Sequence, residues 1–67
     1  MDIPQFQIGE MVDFDASYLQ TVNPRAKFAI VTKDYNDWRR VGITVFLQDG
    51  STYFDSVTPY CILKRNS

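Results

Sequence analysis

Short runs of bulky apolar residues alternate along the chain with clusters of turn-forming residues. No stretch longer than two helical turns keeps the apolar spacing of a helix face, whereas β-branched and aromatic side chains dominate the runs. The pattern predicts five short strands, at 10–14, 27–33, 39–47, directly after the turn at 49–50, and at 61–64. Residues 15–26 are predicted as a long loop that folds back on the core, and Thr58-Pro59-Tyr60 as a single helical or 3-10 turn.

Alternation within the strands indicates which side chains face the core. In the first strand Val12 and Phe14 are predicted to face inward, and the second strand is apolar on both faces. The third strand has the clearest alternation. Its predicted core face consists of Val41, Ile43, Val45 and Leu47.

The turn after the third strand determines the register of the hairpin. Asp49-Gly50 favours a two-residue type I′ turn. Such a turn places Val45 opposite Phe54, so Phe54 is predicted to face the core. It also makes Phe46 and Tyr53 a cross-strand pair on the outer face. A change of one residue in the loop would exchange these faces.

The predicted strands are too short to keep one face of an isolated sheet dry. A chain of 67 residues buries only about 60% of the surface that it exposes when unfolded. Closure into a barrel would bury the apolar side and hide the strand edges. We therefore predict a single domain over residues 1–67, an all-β, five-stranded barrel with a 3-10 turn before the last strand.

The residue types argue against catalysis. The chain has no histidine, which excludes Ser–His and Cys–His nucleophile pairs, and Cys61 is predicted as a small buried residue. Asp34, Asn36 and Asp37 lack the glutamate that completes a calcium loop, and no zinc pattern occurs. We predict a protein that is not an enzyme and that uses no cofactor, metal or small-molecule substrate.

Charge, cysteine content and hydropathy indicate the setting. The net charge is −1, which provides no overall attraction for nucleic acid. One cysteine cannot form an internal disulfide, no apolar run approaches the roughly 18 residues of a membrane span, and the first residues lack the pattern of a signal peptide. These features predict a cytoplasmic protein without membrane contact.

Several segments, taken in their order along the chain, resemble an SH3-like barrel. They are "FQIGEMVDF", "FAIVTK", "VGITVFL", "DGS" and "VTPYCIL", and they are similar to short single-domain SH3-like and KOW-type proteins of bacteria and phages. In the SH3 domain a loop aromatic, a tryptophan and a Pro-x-x-Tyr turn form a peptide groove, to which Tyr18, Trp38 and Pro59 with Tyr60 correspond. Pro59 and Tyr60 are adjacent rather than three apart, which argues against polyproline recognition.

The number of aromatic residues favours a binding function. Ten of the residues are aromatic, more than a core of this size needs, and Tyr and Trp often carry interface energy. We predict a non-enzymatic protein-binding module or accessory factor, which would act in the cytoplasm of a bacterial host if it is phage-encoded. The candidate contact residues are Tyr18, Tyr35, Trp38, Phe46, Tyr53 and Tyr60.

Two alternatives stay open at this point. Residues 24–40 hold five bases against two acids, and two aromatics lie between the bases, as in surfaces that bind single-stranded nucleic acid. The candidates for that function are Arg25, Lys27, Lys33, Arg39 and Arg40. The second alternative is a structural subunit that associates with itself.

Overall fold

The strands and turns of the chain follow the predicted order. A computed structural model describes residues 5–33 and 40–65. Within these ranges the elements are β1 (Met11–Phe14), α1 (Ala16–Thr21), β2 (Ala26–Lys33), β3 (Val41–Leu47), β4 (Thr52–Val57), a 3-10 turn (Pro59–Cys61) and β5 (Ile62–Lys64).

The described strands form one antiparallel sheet in the order β4-β3-β2-β1-β5. This confirms the predicted all-β class and the 3-10 turn that precedes the last strand. In the part of the chain that the structure describes, β4 and β5 pair with one neighbour each. The sheet is therefore open, with β4 and β5 as its edges.

The core lies on one face of this curved sheet. The inward positions predicted for the first and third strands are correct, since Val12, Phe14, Val41, Ile43 and Val45 are all buried. Leu47 is half-buried and packs against this cluster. The remaining buried apolar residues are Phe6, Tyr18, Ala26, Ala29, Val31, Val57 and Ile62.

The prediction that residues 15–26 lack regular structure is wrong, because the segment contains α1. Asp15 caps this helix, since its carboxylate accepts hydrogen bonds from the backbone N–H of Ser17 at 3.1 Å and from its hydroxyl at 2.6 Å. These bonds lower the pKa of Asp15. Tyr18 anchors the helix, and its ring stacks on Phe14 with centroids 4.5 Å apart. A helix of six residues is too short to show a periodic apolar pattern.

The predicted two-residue turn between β3 and β4 is also wrong. Leu47 donates to the carbonyl of Ser51 at 2.9 Å, so three residues form the loop. The N–H of Gly50 donates to the carbonyl of Leu47 at 3.0 Å and closes the turn. Gly50 itself has a φ of 91°, the left-handed conformation typical of the last residue of a three-residue hairpin loop. The Asp49 carboxylate accepts from the backbone and hydroxyl of Ser51 at 2.9 and 2.6 Å, which lowers the pKa of Asp49.

The longer loop exchanges the two faces of β4. Phe54 pairs with Thr44 and points outward, where it is 60% exposed, instead of joining the core. Tyr53 pairs with Val45, points inward and packs against the core instead of lying outside. Phe46 keeps its predicted outward position but stacks on Phe28 of β2, with ring centroids 4.7 Å apart.

Candidate functional site

A groove opens at the side of the sheet where β4 ends. Its volume is 260 Å³, and it lies between the end of α1, the residue that precedes β3, the second half of β4 and the 3-10 turn. We call it the β4 groove. Its lining residues are Tyr18, Val22, Arg40, Asp55, Ser56, Val57, Thr58 and Cys61.

A chain of hydrogen bonds joins the loop after α1 to β4 beneath the groove. The Tyr18 hydroxyl lies 2.9 Å from that of Tyr53 and 2.8 Å from Oδ2 of Asp55. Because a carboxylate only accepts, Tyr18 donates to Asp55, and Tyr53 therefore donates to Tyr18. The amide of Asn23 donates to the Tyr53 hydroxyl at 3.4 Å and completes the chain.

Tyr18 holds its proton in this arrangement. Burial raises the pKa of Tyr18 far above its ordinary value, and the hydrogen bonds to Tyr53 and Asp55 raise it further. Tyr18 is only 2% exposed and stays neutral at physiological pH. It is therefore a fixed donor, which holds one oxygen of Asp55 in place at the wall of the groove.

Charged groups of both signs meet at Ser56. Arg40 donates through Nε to the Ser56 hydroxyl at 3.3 Å and through Nη2 to the Ser56 carbonyl. Asp55 accepts the Ser56 backbone N–H at Oδ1, at 2.8 Å. The guanidinium of Arg40 and the carboxylate of Asp55 are thus both held at Ser56 of β4.

The groove also has apolar lining residues. Val22 is 57% exposed although it is a large hydrophobic residue, and Val57 and Cys61 line the same groove. The neighbouring Tyr60 is 56% exposed on the 3-10 turn. A volume of 260 Å³ is smaller than the roughly 300–1,000 Å³ of typical small-molecule sites.

Of the six predicted protein-contact residues, the four that the structure describes do not form one exposed surface. Tyr18 is buried in the core rather than exposed, and Tyr53 is half-buried with its hydroxyl in the hydrogen-bond chain. A role of either residue in protein contact stays a prediction. Phe46 lies on the outer face and Tyr60 is exposed near the groove. Tyr35 and Trp38 lie outside the described residues.

Four of the five basic candidates lie within the described residues. Arg25, Lys27 and Lys33 are exposed in and before β2, whereas Arg40 is held on Ser56 at the groove. Arg39 lies outside the described residues. Binding of nucleic acid by these residues stays a prediction.

The sequence interpretation missed most of the residues that build the groove. No sequence motif includes Val22, Asp55 or Val57. These residues come together because of the position of α1 and the register of the hairpin. A capping signal for α1 was present, because Asp15 followed by Ser17 before Tyr18 is a typical helix start. If the turn between β3 and β4 is taken as three residues long, Asp55 is placed on the inner face of β4.

Two arrangements are absent from the part of the chain that the structure describes. No three His, Cys, Asp or Glu side chains come close enough to hold a metal ion in residues 5–33 and 40–65. In the same ranges no helix has the length and apolar character needed to cross a bilayer. Cys61 is half-buried, and its sulfur lies 3.4 Å from the Thr58 hydroxyl.

Comparison with protein-family models, curated proteins and solved structures found no significant match.

Proposed function

We propose that this protein is an SH3-like small barrel that acts by binding another protein, without catalysis. The strand order and the 3-10 turn between β4 and β5 support an SH3-like arrangement. Fold alone does not specify a function, so the proposal depends on the β4 groove.

The observation that carries the proposal is the composition of this groove. Val22 leaves a large apolar surface in water, beside fixed polar groups on Arg40 and Asp55. Apolar contact area with a few oriented polar groups at its margin is typical of peptide-binding surfaces. The ligand that fits is an extended segment with one apolar side chain against Val22 and backbone groups near Ser56.

A charge placed on the apolar lining of the groove should abolish this binding. Peptides can be selected with the purified protein from a random library displayed on phage, and their affinity measured by calorimetry. We expect Val22→Lys to weaken the selected peptides by at least tenfold, about 1.4 kcal/mol, because the ammonium group would lose water on contact with an apolar side chain. Val22 is exposed, so the fold should persist.

Ile8→Lys is the matched control, because Ile8 is 63% exposed and does not line the groove. We expect it to bind the selected peptides as the natural chain does. Equal affinity of Val22→Lys and the natural chain would show that the peptides bind elsewhere and would reject the groove as the site.

A further inference from the structure

Three phenylalanines lie on the outer face of the sheet, the face away from the core. Phe28 of β2 and Phe46 of β3 are cross-strand partners, and their rings stack with centroids 4.7 Å apart and an interplanar angle of 11°. Phe54 of β4 pairs with Thr44, which is two residues from Phe46 and therefore on the same face. None of the three rings lines the β4 groove. The outer face is thus a separate apolar surface, spread over three adjacent strands.

Gly42 makes room for the Phe54 ring above β3. Cζ of Phe54 lies 3.3 Å, and Cγ of Lys33 3.5 Å, from the position that a Cβ of residue 42 would take. The tip of the ring and the lysine stem therefore share the space above this glycine. Phe54 is still 60% exposed, so the sheet supports the ring without covering it. An exposed ring held in this way offers a flat surface on which another planar group can stack.

The charge next to these rings is positive. The only acidic residue in β2, β3 and β4 is Asp55, and its carboxylate points to the core side, where it accepts from Tyr18. Lys33 is exposed, and neither of the two salt bridges between described residues involves it. An exposed ammonium near Phe54 is therefore available to an anionic ligand.

Arg65 adds a second cation next to Phe28. Its guanidinium carbon lies 5.7 Å from the centroid of the Phe28 ring, within the range of a cation–π contact. The Asp13 carboxylate holds it there, with Oδ1 3.5 Å from Nε. Because this ion pair already compensates part of the charge of Arg65, Lys33 is the stronger candidate for contact with an anion.

We propose that this face binds single-stranded nucleic acid, with bases stacking on Phe46 and Phe54 and a phosphate on Lys33. Exposed rings beside cations are the usual elements of surfaces that bind single strands, because every base has a flat face and every nucleotide has a phosphate. Each of the two rings has a threonine as its partner on the neighbouring strand, Thr52 and Thr44, and these short side chains leave room for a base beside the ring. A duplex keeps its bases stacked on one another, so its bases do not reach the rings.

A second copy of the chain fits this face less well. In a two-fold dimer the same patch lies against itself. The outer face of β2, β3 and β4 has no acidic side chain that could pair with Lys33 of another copy, so like charges would meet. The net charge of −1 provides no long-range attraction for nucleic acid. The expected binding is therefore weak, and strongest at low salt.

Fluorescence anisotropy with a labelled thymine oligonucleotide tests the proposal. We expect the natural chain to bind this single strand at low salt, and to bind it more weakly when salt is added or when the complementary adenine strand is annealed. Phe54→Leu keeps an apolar side chain beside Gly42 but removes the flat ring, so it should weaken binding at least about fivefold. Tyr60→Leu is the matched control and should leave binding unchanged, because Tyr60 is 56% exposed but lies on the 3-10 turn rather than on the sheet.

A charge variant tests the phosphate contact separately. Lys33→Gln should weaken binding at low salt and reduce the slope of log affinity against log salt concentration by about one. Lys64→Gln is the control, because Lys64 bonds to Glu10 and lies over the ring of Phe6, which belongs to the core. The slope should not change in this variant.

Absence of binding at low salt would overturn the proposal, as would unchanged binding by a Phe54→Leu variant that circular dichroism shows to be folded. Self-association in sedimentation equilibrium that depends on Phe54, without binding of the oligonucleotide, would also overturn it and would assign the face to a second copy. The peptides that bind at Val22 do not contact this face, so Phe54→Leu should bind them as the natural chain does. The two proposals can therefore fail separately.

Discussion

Replacing Tyr18 by alanine should leave a large fraction of the chain unfolded. The ring is buried, stacks on Phe14 at 4.5 Å and anchors α1 to the core. Truncating a buried aromatic residue costs about 3–5 kcal/mol. A chain of 67 residues has a total stability of roughly 3–10 kcal/mol, so this loss is a large part of it. Urea unfolding followed by circular dichroism measures the difference.

Tyr18→Phe separates the hydrogen bonds from the packing. It keeps the ring and removes the donor to Asp55, and we expect a loss of about 1–3 kcal/mol. Tyr60→Phe is the matched control, because Tyr60 is exposed, and its change should stay within about 0.5 kcal/mol. Equal stability of Tyr18→Phe and the natural chain would mean that the hydrogen-bond chain does not stabilise the fold.

Gly42→Ala should cost about 1–3 kcal/mol because β2 and β3 approach closely at this position. A Cβ at residue 42 would lie 2.7 Å from Cβ of Lys33 and 3.3 Å from Cζ of Phe54. The Phe54 ring is exposed and can move, but Cβ of Lys33 is fixed to the backbone of the paired strand. The two strands would therefore have to separate.

Lys33→Gly should partly rescue this variant, because it removes the atom that the new Cβ meets. The two changes should show a favourable coupling of about 1 kcal/mol in a double-mutant cycle. Gly50→Ala is the comparison, since nothing lies within 4 Å of a Cβ there and the cost comes from its φ of 91°. Rescue of Gly50→Ala by Lys33→Gly would contradict a local steric cause.

The strands and their core faces could be predicted because alternation along one strand is a local property. Val41, Ile43 and Val45 alternate with smaller or polar residues, and only one face of such a strand suits a core. The 3-10 turn could also be predicted locally, from the Thr58-Pro59-Tyr60 segment, because proline suits the first residue of a helical turn. Neither prediction required knowledge of another part of the chain.

The register of β4 could not be predicted in this way. Asp49-Gly50 is compatible with a two-residue turn and with a three-residue loop that ends in a left-handed glycine. Tyr53 and Phe54 are adjacent aromatics, so apolar character does not distinguish their faces. The structure favours Tyr53 inside, where its hydroxyl reaches Tyr18. Phe54 would bring no hydrogen bond to that position.

The groove could not be predicted because it combines three distant segments. Val22 follows α1, Arg40 precedes β3 and Asp55 lies in β4, and no spacing rule connects them. An exposed valine or a single aspartate is unremarkable in sequence. Asp55 reaches Tyr18 and the groove only in the hairpin register that the structure shows.

The hairpin register determines the groove and the hydrogen-bond chain, so a nuclear Overhauser measurement of this register is the most direct test. Cα atoms of antiparallel partners without mutual hydrogen bonds lie about 4.5 Å apart, which brings their Hα atoms close. We predict a strong Hα–Hα contact between Thr44 and Phe54, which are paired in this register. A strong contact between Hα of Val45 and Hα of Phe54 would contradict it, because Asp55 would then face away from Tyr18.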